Sequence, residues 1–250
     1  MIPLKDNIPT NRFPFVTVAL ILANVVAYLL AIRHGGSIIS GPDTAEVVKY
    51  GAIPAALTHC LGDHEVIAGN QLVCAHAGGM PTWETIFTAM FMHASILHIA
   101  GNMLFLWIFG NNVEDSMGPV KYIGFYILGG IAALALQTVV APNSAVPTLG
   151  ASGAIAAVLG GYILLYPRAR VLTLVFIILL FTVIELPAVL VLAFWFIEQA
   201  VFAATNLTDP TGGGGGVAYF AHVGGFVFGL ATIKLLATRR RQVPPRYPVY

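Results

Sequence analysis

The chain is 250 residues long, 58% hydrophobic and only 9% charged, with a mean hydropathy of +0.84. Soluble domains carry about a quarter charged residues, so this composition excludes an ordinary soluble fold and points to a membrane chain. A net charge of +1 leaves no basic surplus to neutralise a phosphate backbone, which argues against a nucleic-acid partner. Two cysteines and seven scattered histidines show no tight ligand spacing, so neither a zinc ribbon nor another metal site is expected.

A transmembrane helix needs about 20 mostly apolar residues, and six segments qualify or come close. Residues 1–12 form a short polar start. Phe13 to Ile32 then lacks the basic start and small-residue cleavage site of a secretory signal, so it is expected to stay as a permanent helix. The loop from residue 34 to 80 follows and holds both Cys60 and Cys74. An oxidising outer face permits these two to pair, and two free thiols are the alternative. Trp83 to Gly110, Val120 to Val140 and Ser152 to Tyr166 are the second, third and fourth spans. Val171 to Phe202 is too long for one straight crossing and contains Glu185-Leu186-Pro187. An interfacial or re-entrant run is expected there, with the crossing from about Pro187. Val217 to Leu236 is the sixth span, and residues 237–250 form a basic tail.

Charge placement fixes the expected orientation, because cytoplasmic loops collect Lys and Arg. Lys5, Arg12, Lys121, Arg168, Arg170, Lys234 and the tail arginines fall on one side of a six-span chain, and only Arg33 and Lys49 on the other. Both termini are therefore expected in the cytoplasm. The expected fold is all-α: one membrane domain over residues 13–236, a polytopic six-helix bundle with its long loop outside.

Polar side chains inside hydrocarbon call for a partner or a task. His98 and Asn102 are four apart in the second span and share a helix face. Taken alone, the pair also suits hydrogen bonding between helices. His93 is rotated from that face by about 140° and is assigned a different purpose. The fourth span opens with Gly150-Ala151-Ser152-Gly153, where glycines let the chain turn sharply and leave the hydroxyl uncovered beside first-turn N–H groups. Serine also caps helices, and small residues also mark close packing. In the sixth span His222 lies beside Ala221, Gly225 and Gly229, a small-residue ridge at spacing four that admits another helix at near backbone contact. In the expected topology Ser152 and His222 sit near outer helix ends and His98 somewhat deeper. All three can then meet in one cavity open to water, as nucleophile, general base and oxyanion donor.

These residues resemble the rhomboid family of intramembrane serine proteases, over most of the core from the second span to the sixth. The matching motifs are His93-x4-His98-x3-Asn102, Gly150-Ala151-Ser152-Gly153 and Ala221-His222-x2-Gly225-x3-Gly229, in order on alternate spans. The resemblance implies Ser152 as nucleophile and His222 as base, with His98, Asn102 and the Ser152 N–H holding the oxyanion. It also implies structural roles near the site for His93, Gly150, Gly153, Gly225, Gly229 and Glu114. No cofactor is implied. The implied substrate is a single-span membrane protein cut near the outer boundary, and the implied location is a bacterial plasma membrane, in contact with lipid.

Two departures stand out. The aromatic residue that often lies one turn after the serine is replaced by Ala156, so a group from a neighbouring span is expected to orient His222. The family's Trp-Arg pair is absent from the loop 34–80. A channel or transporter using His98, Asn102, Glu185 and Glu198, and a non-cutting rhomboid-like protein that binds membrane helices, are the competing readings. A transport pathway does not call for a serine between glycines, and a non-cutting relative typically lacks serine or histidine.

Overall fold

A computed structural model describes residues 1–59, 80–177, 180–208 and 218–238. Cys60, Cys74 and the glycine run 212–216 lie outside the described residues, as does the basic tail from residue 239.

Strand β1 (Ile2–Asp6) is followed by α1 (Phe15–Ala31), the short helices α2 (Thr44–Tyr50) and α3 (Pro54–His59), and α4 (Thr85–Thr88). Helix α5 (Ile96–Phe105) continues through one π-helical turn at Leu106–Gly110 into α6 (Asn111–Met117). Then come α7 (Pro119–Val140), α8 (Ser152–Leu165), strands β2 (Arg170–Ile177) and β3 (Leu180–Pro187), α9 (Ala188–Thr208) and α10 (Tyr219–Leu236). Among the described residues, five helical segments are long and apolar enough to cross a membrane: Phe15–His34, Ile96–Met117, Pro119–Val140, Ala188–Thr205 and Tyr219–Leu236. The sixth, α8, is apolar but shorter. The helical bundle expected from sequence is therefore present.

Two expected boundaries are corrected. The second span does not run from Trp83 as one helix, because Ser95, in extended backbone, caps α5 and its hydroxyl accepts the His98 N–H at 3.2 Å. From there the helix reaches Met117 rather than Gly110. The interfacial or re-entrant run expected at the start of the fifth segment is a β-hairpin. Strands β2 and β3 pair antiparallel from Arg170 with Pro187 to Ile177 with Leu180, and β1 adds to β2 as a third strand. The fold is thus a helical bundle with a small sheet, not purely α. The residues Val171, Thr173, Val175, Ile177, Phe181, Thr182, Val183 and Ile184 are β-branched or aromatic, a composition that favours strands. Arg170 and Glu185 lie diagonally across the hairpin at 3.9 Å. The crossing helix starts straight after Pro187, as expected.

Helix α8 forms the middle of the bundle, and eleven of its fourteen residues are buried. A helix apolar on every side has no solvent face to lose and packs at the centre. At 1.5 Å per residue it is about 21 Å long, against about 30 Å of hydrocarbon. A helix this short falls about 9 Å short of crossing that thickness by itself. Glycines set the packing around it. A Cβ on Gly225 would run into the Gly153 carbonyl oxygen, and one on Gly229 into that of Ala157. The sixth-span ridge therefore contacts the helix that begins at Ser152.

The far end is held by two carboxylates. Helix α1 begins at Pro14 with no capping side chain of its own. Glu114 supplies the cap from α6: Oε1 accepts the Val16 N–H at 3.0 Å, and Oε2 accepts the Thr17 N–H at 2.8 Å and the Thr17 hydroxyl at 2.7 Å. A carboxylate at a helix N-terminus satisfies orphan donors and complements the helix dipole. Strand β1 brings Asp6 under the end of α8, where its Oδ2 accepts from the Tyr162 hydroxyl at 2.6 Å and from Asn112 Nδ2 at 2.7 Å. Burial pushes the Asp6 carboxyl up to about 7, outweighing the hydrogen bonds that favour its charged form.

A carboxyl raised on folding contributes stability that is fully present below its unfolded value and is lost as pH rises through its folded one. Thermal stability in detergent should therefore fall between pH 3.8 and about 7, and Asp6→Asn, which keeps an acceptor for Tyr162, should flatten that slope. An unchanged slope in the variant contradicts the assignment. Gly225→Val should lower stability by about 1–3 kcal/mol or more, the range for overpacking. Gly124→Ala, where a Cβ meets nothing within 4 Å, serves as the neutral control; equal unfolding curves for both variants would remove the packing role of Gly225.

Candidate active site

Four elements deliver polar groups to one cavity of about 510 Å³, whose lining includes Ser152, His222, His98, Asn102, Gln199 and Trp195. Ser152 is the first residue of α8. Its position is set by the loop before it: the Gly150 N–H donates to the Ala89 oxygen at 2.8 Å, while Thr148 and Ala52 exchange backbone hydrogen bonds of 2.7 and 2.9 Å. Gly150 has φ +122°, a conformation that side chains rarely adopt. A Cβ there would also lie 2.9 Å from His98 Nε2 and 3.5 Å from Ser152 Oγ, filling the space between histidine and serine.

His222 lies on α10, one turn from its start, and its Nε2 is 2.8 Å from Ser152 Oγ. The expected serine–histidine approach is thus present in the geometry. His98 is the third residue of α5, and its Nδ1 accepts the Ala94 N–H at 3.4 Å. With that nitrogen used as an acceptor, the proton sits on Nε2, the atom that faces Gly150 and Ser152. Asn102, one turn further along, is buried, and its Nδ2 has no acceptor among the described residues. His98 and Asn102 thus line the same cavity as the serine hydroxyl, together with first-turn N–H groups of α8 that a helix cannot satisfy itself. His93 is fully buried; its Nδ1–H donates to the Phe91 oxygen at 3.2 Å and its ring stands edge-on to His98 at 5.1 Å. His93 therefore packs against the His98 ring instead of sharing its cavity face.

Gly225 and Gly229 form the α10 side of the α8–α10 contact, against the Gly153 and Ala157 carbonyls, while a Cβ on Gly153 would meet Ala133 of α7 at 2.6 Å. Glu114 is the exception among the residues expected near the site. It lies sixteen residues along the helix from His98, about 24 Å at 1.5 Å per residue, and acts as the cap of α1. Among the described residues no group of three or more His, Cys, Asp and Glu converges as a metal site would require.

Sequence reasoning missed two residues of α9. The Trp195 ring lies 5.7 Å from that of His222 at 39°, and Gln199 Oε1 is 2.7 Å from His222 Nδ1. These are the neighbouring-span groups that the absence of an aromatic at Ala156 called for. Spacing i, i+4 puts both on one helix face, and a glutamine inside a span was the available signal. Ala156 itself is fully buried, 3.2 Å from where a Cβ on Gly225 would sit. The two acids considered for a transport pathway go elsewhere: Glu185 belongs to β3 opposite Leu172, and Glu198 is exposed on α9.

Curated proteins with similar sequences point the same way. The chain is 36% identical over 97 residues to Rhomboid-like protein 11, chloroplastic, of Arabidopsis thaliana, covering 38% of this chain and 34% of that protein. It is 34% identical over 101 residues to Rhomboid protein 1, mitochondrial, of Saccharomyces cerevisiae, with 37% and 28% covered. It is 30% identical over 145 residues to Presenilin-associated rhomboid-like protein, mitochondrial, of Mus musculus, with 56% and 34% covered. The matches thus span about a third of each relative's length. Residues 81–239, more than half of the chain, match the family model described as Rhomboid domain. Those bounds enclose all three sequence motifs and every residue that lines the polar part of the cavity, and the chain is an integral membrane protein of the rhomboid family.

Proposed function

We propose that this rhomboid-family protein is an intramembrane serine endopeptidase in which Ser152 is the nucleophile and His222 the general base. The observation that carries the reading is the 2.8 Å approach of Ser152 Oγ to His222 Nε2 in a cavity that His98 and Asn102 also line. Ser152 Oγ attacks the scissile carbonyl carbon and its proton passes to His222 Nε2. The carbonyl oxygen, now negative, accepts from His98 Nε2–H, Asn102 Nδ2–H and the Ser152 N–H. As the tetrahedral intermediate collapses, the C–N bond breaks and His222 returns the proton to the leaving amine. Water then attacks the acyl-enzyme, giving its proton to His222, and the new acid leaves as Ser152 recovers its hydrogen.

The proposed substrate class rests on the need for water: hydrocarbon excludes it, and a short central helix such as α8 is compatible with a water-filled cavity beside Ser152. A helical substrate has its carbonyls hydrogen-bonded, so residues that weaken a helix near the cut favour entry. The proposed substrate is a single-span membrane protein cut near its outer boundary. Both termini are proposed to be cytoplasmic. Supporting this, β1, Lys121 and the end of α10 gather at the end opposite Ser152, where Lys121 Nζ donates to the Leu236 oxygen at 3.4 Å, and basic residues mark that side. A bacterial plasma membrane is the proposed location, resting on the likeness to six-span bacterial members; the relatives above are named for mitochondria and chloroplasts.

Purified protein in liposomes, incubated with a single-span reporter and analysed by product mass, tests the reading. Wild type should cut the reporter near its outer boundary and Ser152→Ala should not; a reporter bound but left intact by both would favour the helix-binding alternative. Asn102→Ala should keep its fold and lose about 2.7–4 kcal/mol of transition-state stabilisation, the range for one oxyanion donor. Unchanged turnover returns Asn102 to a packing role.

A further inference from the structure

We infer that Gln199 is a positioning residue for His222, its side-chain oxygen fixing the imidazole so that Nε2 aims at Ser152. In its effect on turnover this rests on the protease reading above. The geometry comes first. His222 has one nitrogen on Ser152 Oγ at 2.8 Å and the other on Gln199 Oε1 at 2.7 Å. An amide oxygen only accepts, so Nδ1 carries the proton and donates it to Gln199. That leaves Nε2 with its lone pair toward the serine hydroxyl, the tautomer a general base requires. Gln199 is 8% exposed, which shields this hydrogen bond from competing water.

The surroundings explain why an amide suits this position. In water-soluble serine hydrolases a buried carboxylate holds the corresponding nitrogen and stabilises the imidazolium that forms. A carboxylate at this depth would place a charge in the membrane in the resting state, where charged groups are expensive. An amide carbonyl presents its negative end to Nδ1–H with no net charge, and it strengthens its hydrogen bond only when the imidazole takes up the serine proton. Trp195, one turn earlier on α9, covers the ring, while Glu198, next to Gln199 in sequence, is exposed. Helix α9 thus turns its uncharged acceptor to the histidine and its carboxylate away.

The test uses full-length Gln199→Leu, which removes the acceptor, and Gln199→Glu, which keeps a carbonyl oxygen there whether or not it is ionised. In Gln199→Leu, kcat on the reporter should fall about 10- to 100-fold, the loss for a hydrogen bond to a group that becomes charged, with KM within about 2-fold of wild type. Gln199→Glu should recover most of that loss. Nitrogen NMR of ring-labelled histidine supplies a readout independent of cleavage: His222 should be Nδ1-protonated in wild type and lose that signature in Gln199→Leu. A Leu variant with wild-type kcat and an unchanged His222 signature overturns the assignment, as does a parallel fall of kcat, KM and thermal stability in both variants. A wild type that fails to cleave, yet shows the NMR difference, overturns the protease reading and leaves the role of Gln199 in place.

Discussion

Close packing of α8 against α10 is the constraint on which the rest depends. Gly225 and Gly229 let the backbone of α10 approach the carbonyl oxygens of Gly153 and Ala157, at positions where a single Cβ would collide. In a bilayer there is no hydrophobic gain from bringing two apolar helices together, so association relies on close contact and on interhelical hydrogen bonds. The glycine ridge supplies the contact, and the pair of Ser152 and His222 lies at its upper end. Packing geometry and reacting geometry are therefore set by the same few residues. The serine–histidine distance of 2.8 Å is a consequence of how near two backbones can come.

The short length of α8 has the complementary effect. The N-terminus of this short central helix opens on a cavity that His98 and Asn102 also line. The opposite end of α8 is closed instead of open. Tyr162 donates to Asp6, Asn112 does the same, and Glu114 caps α1 from the neighbouring helix. Hydrogen bonds from β1 and α6 thus anchor one end of the helix whose other end carries the serine. Helix α9 adds the side wall, from which Trp195 and Gln199 reach His222.

Much of this was legible in the sequence, for identifiable reasons. Helical spacing put His98 with Asn102 and aligned Ala221, Gly225 and Gly229, since a period of 3.6 is intrinsic to the chain. Gly150 and Gly153 around Ser152 announced a turn that side chains would obstruct. Three kinds of feature were not legible. The hairpin from Arg170 to Pro187 was hidden because an apolar run of strand length has no periodicity to separate it from a buried helix segment. The placement of Glu114 needed the trace of the whole second span, since only the structure shows that its partners are the first N–H groups of α1. Gln199 and Trp195 depend on which face of α9 meets α10, a tertiary fact, although the missing aromatic at Ala156 did signal that some neighbour must hold His222.

On the proposed reading Ser152 is an activated nucleophile because His222 and the nearby donors are held around it. Reaction of the purified protein with a serine-directed phosphonate, followed by peptide mapping, tests this without any knowledge of the natural substrate. One adduct, on Ser152, is expected in the wild type, and its loss in His222→Ala although the serine remains. Label on another residue, or equal labelling of Ser152 in the absence of His222, would contradict it.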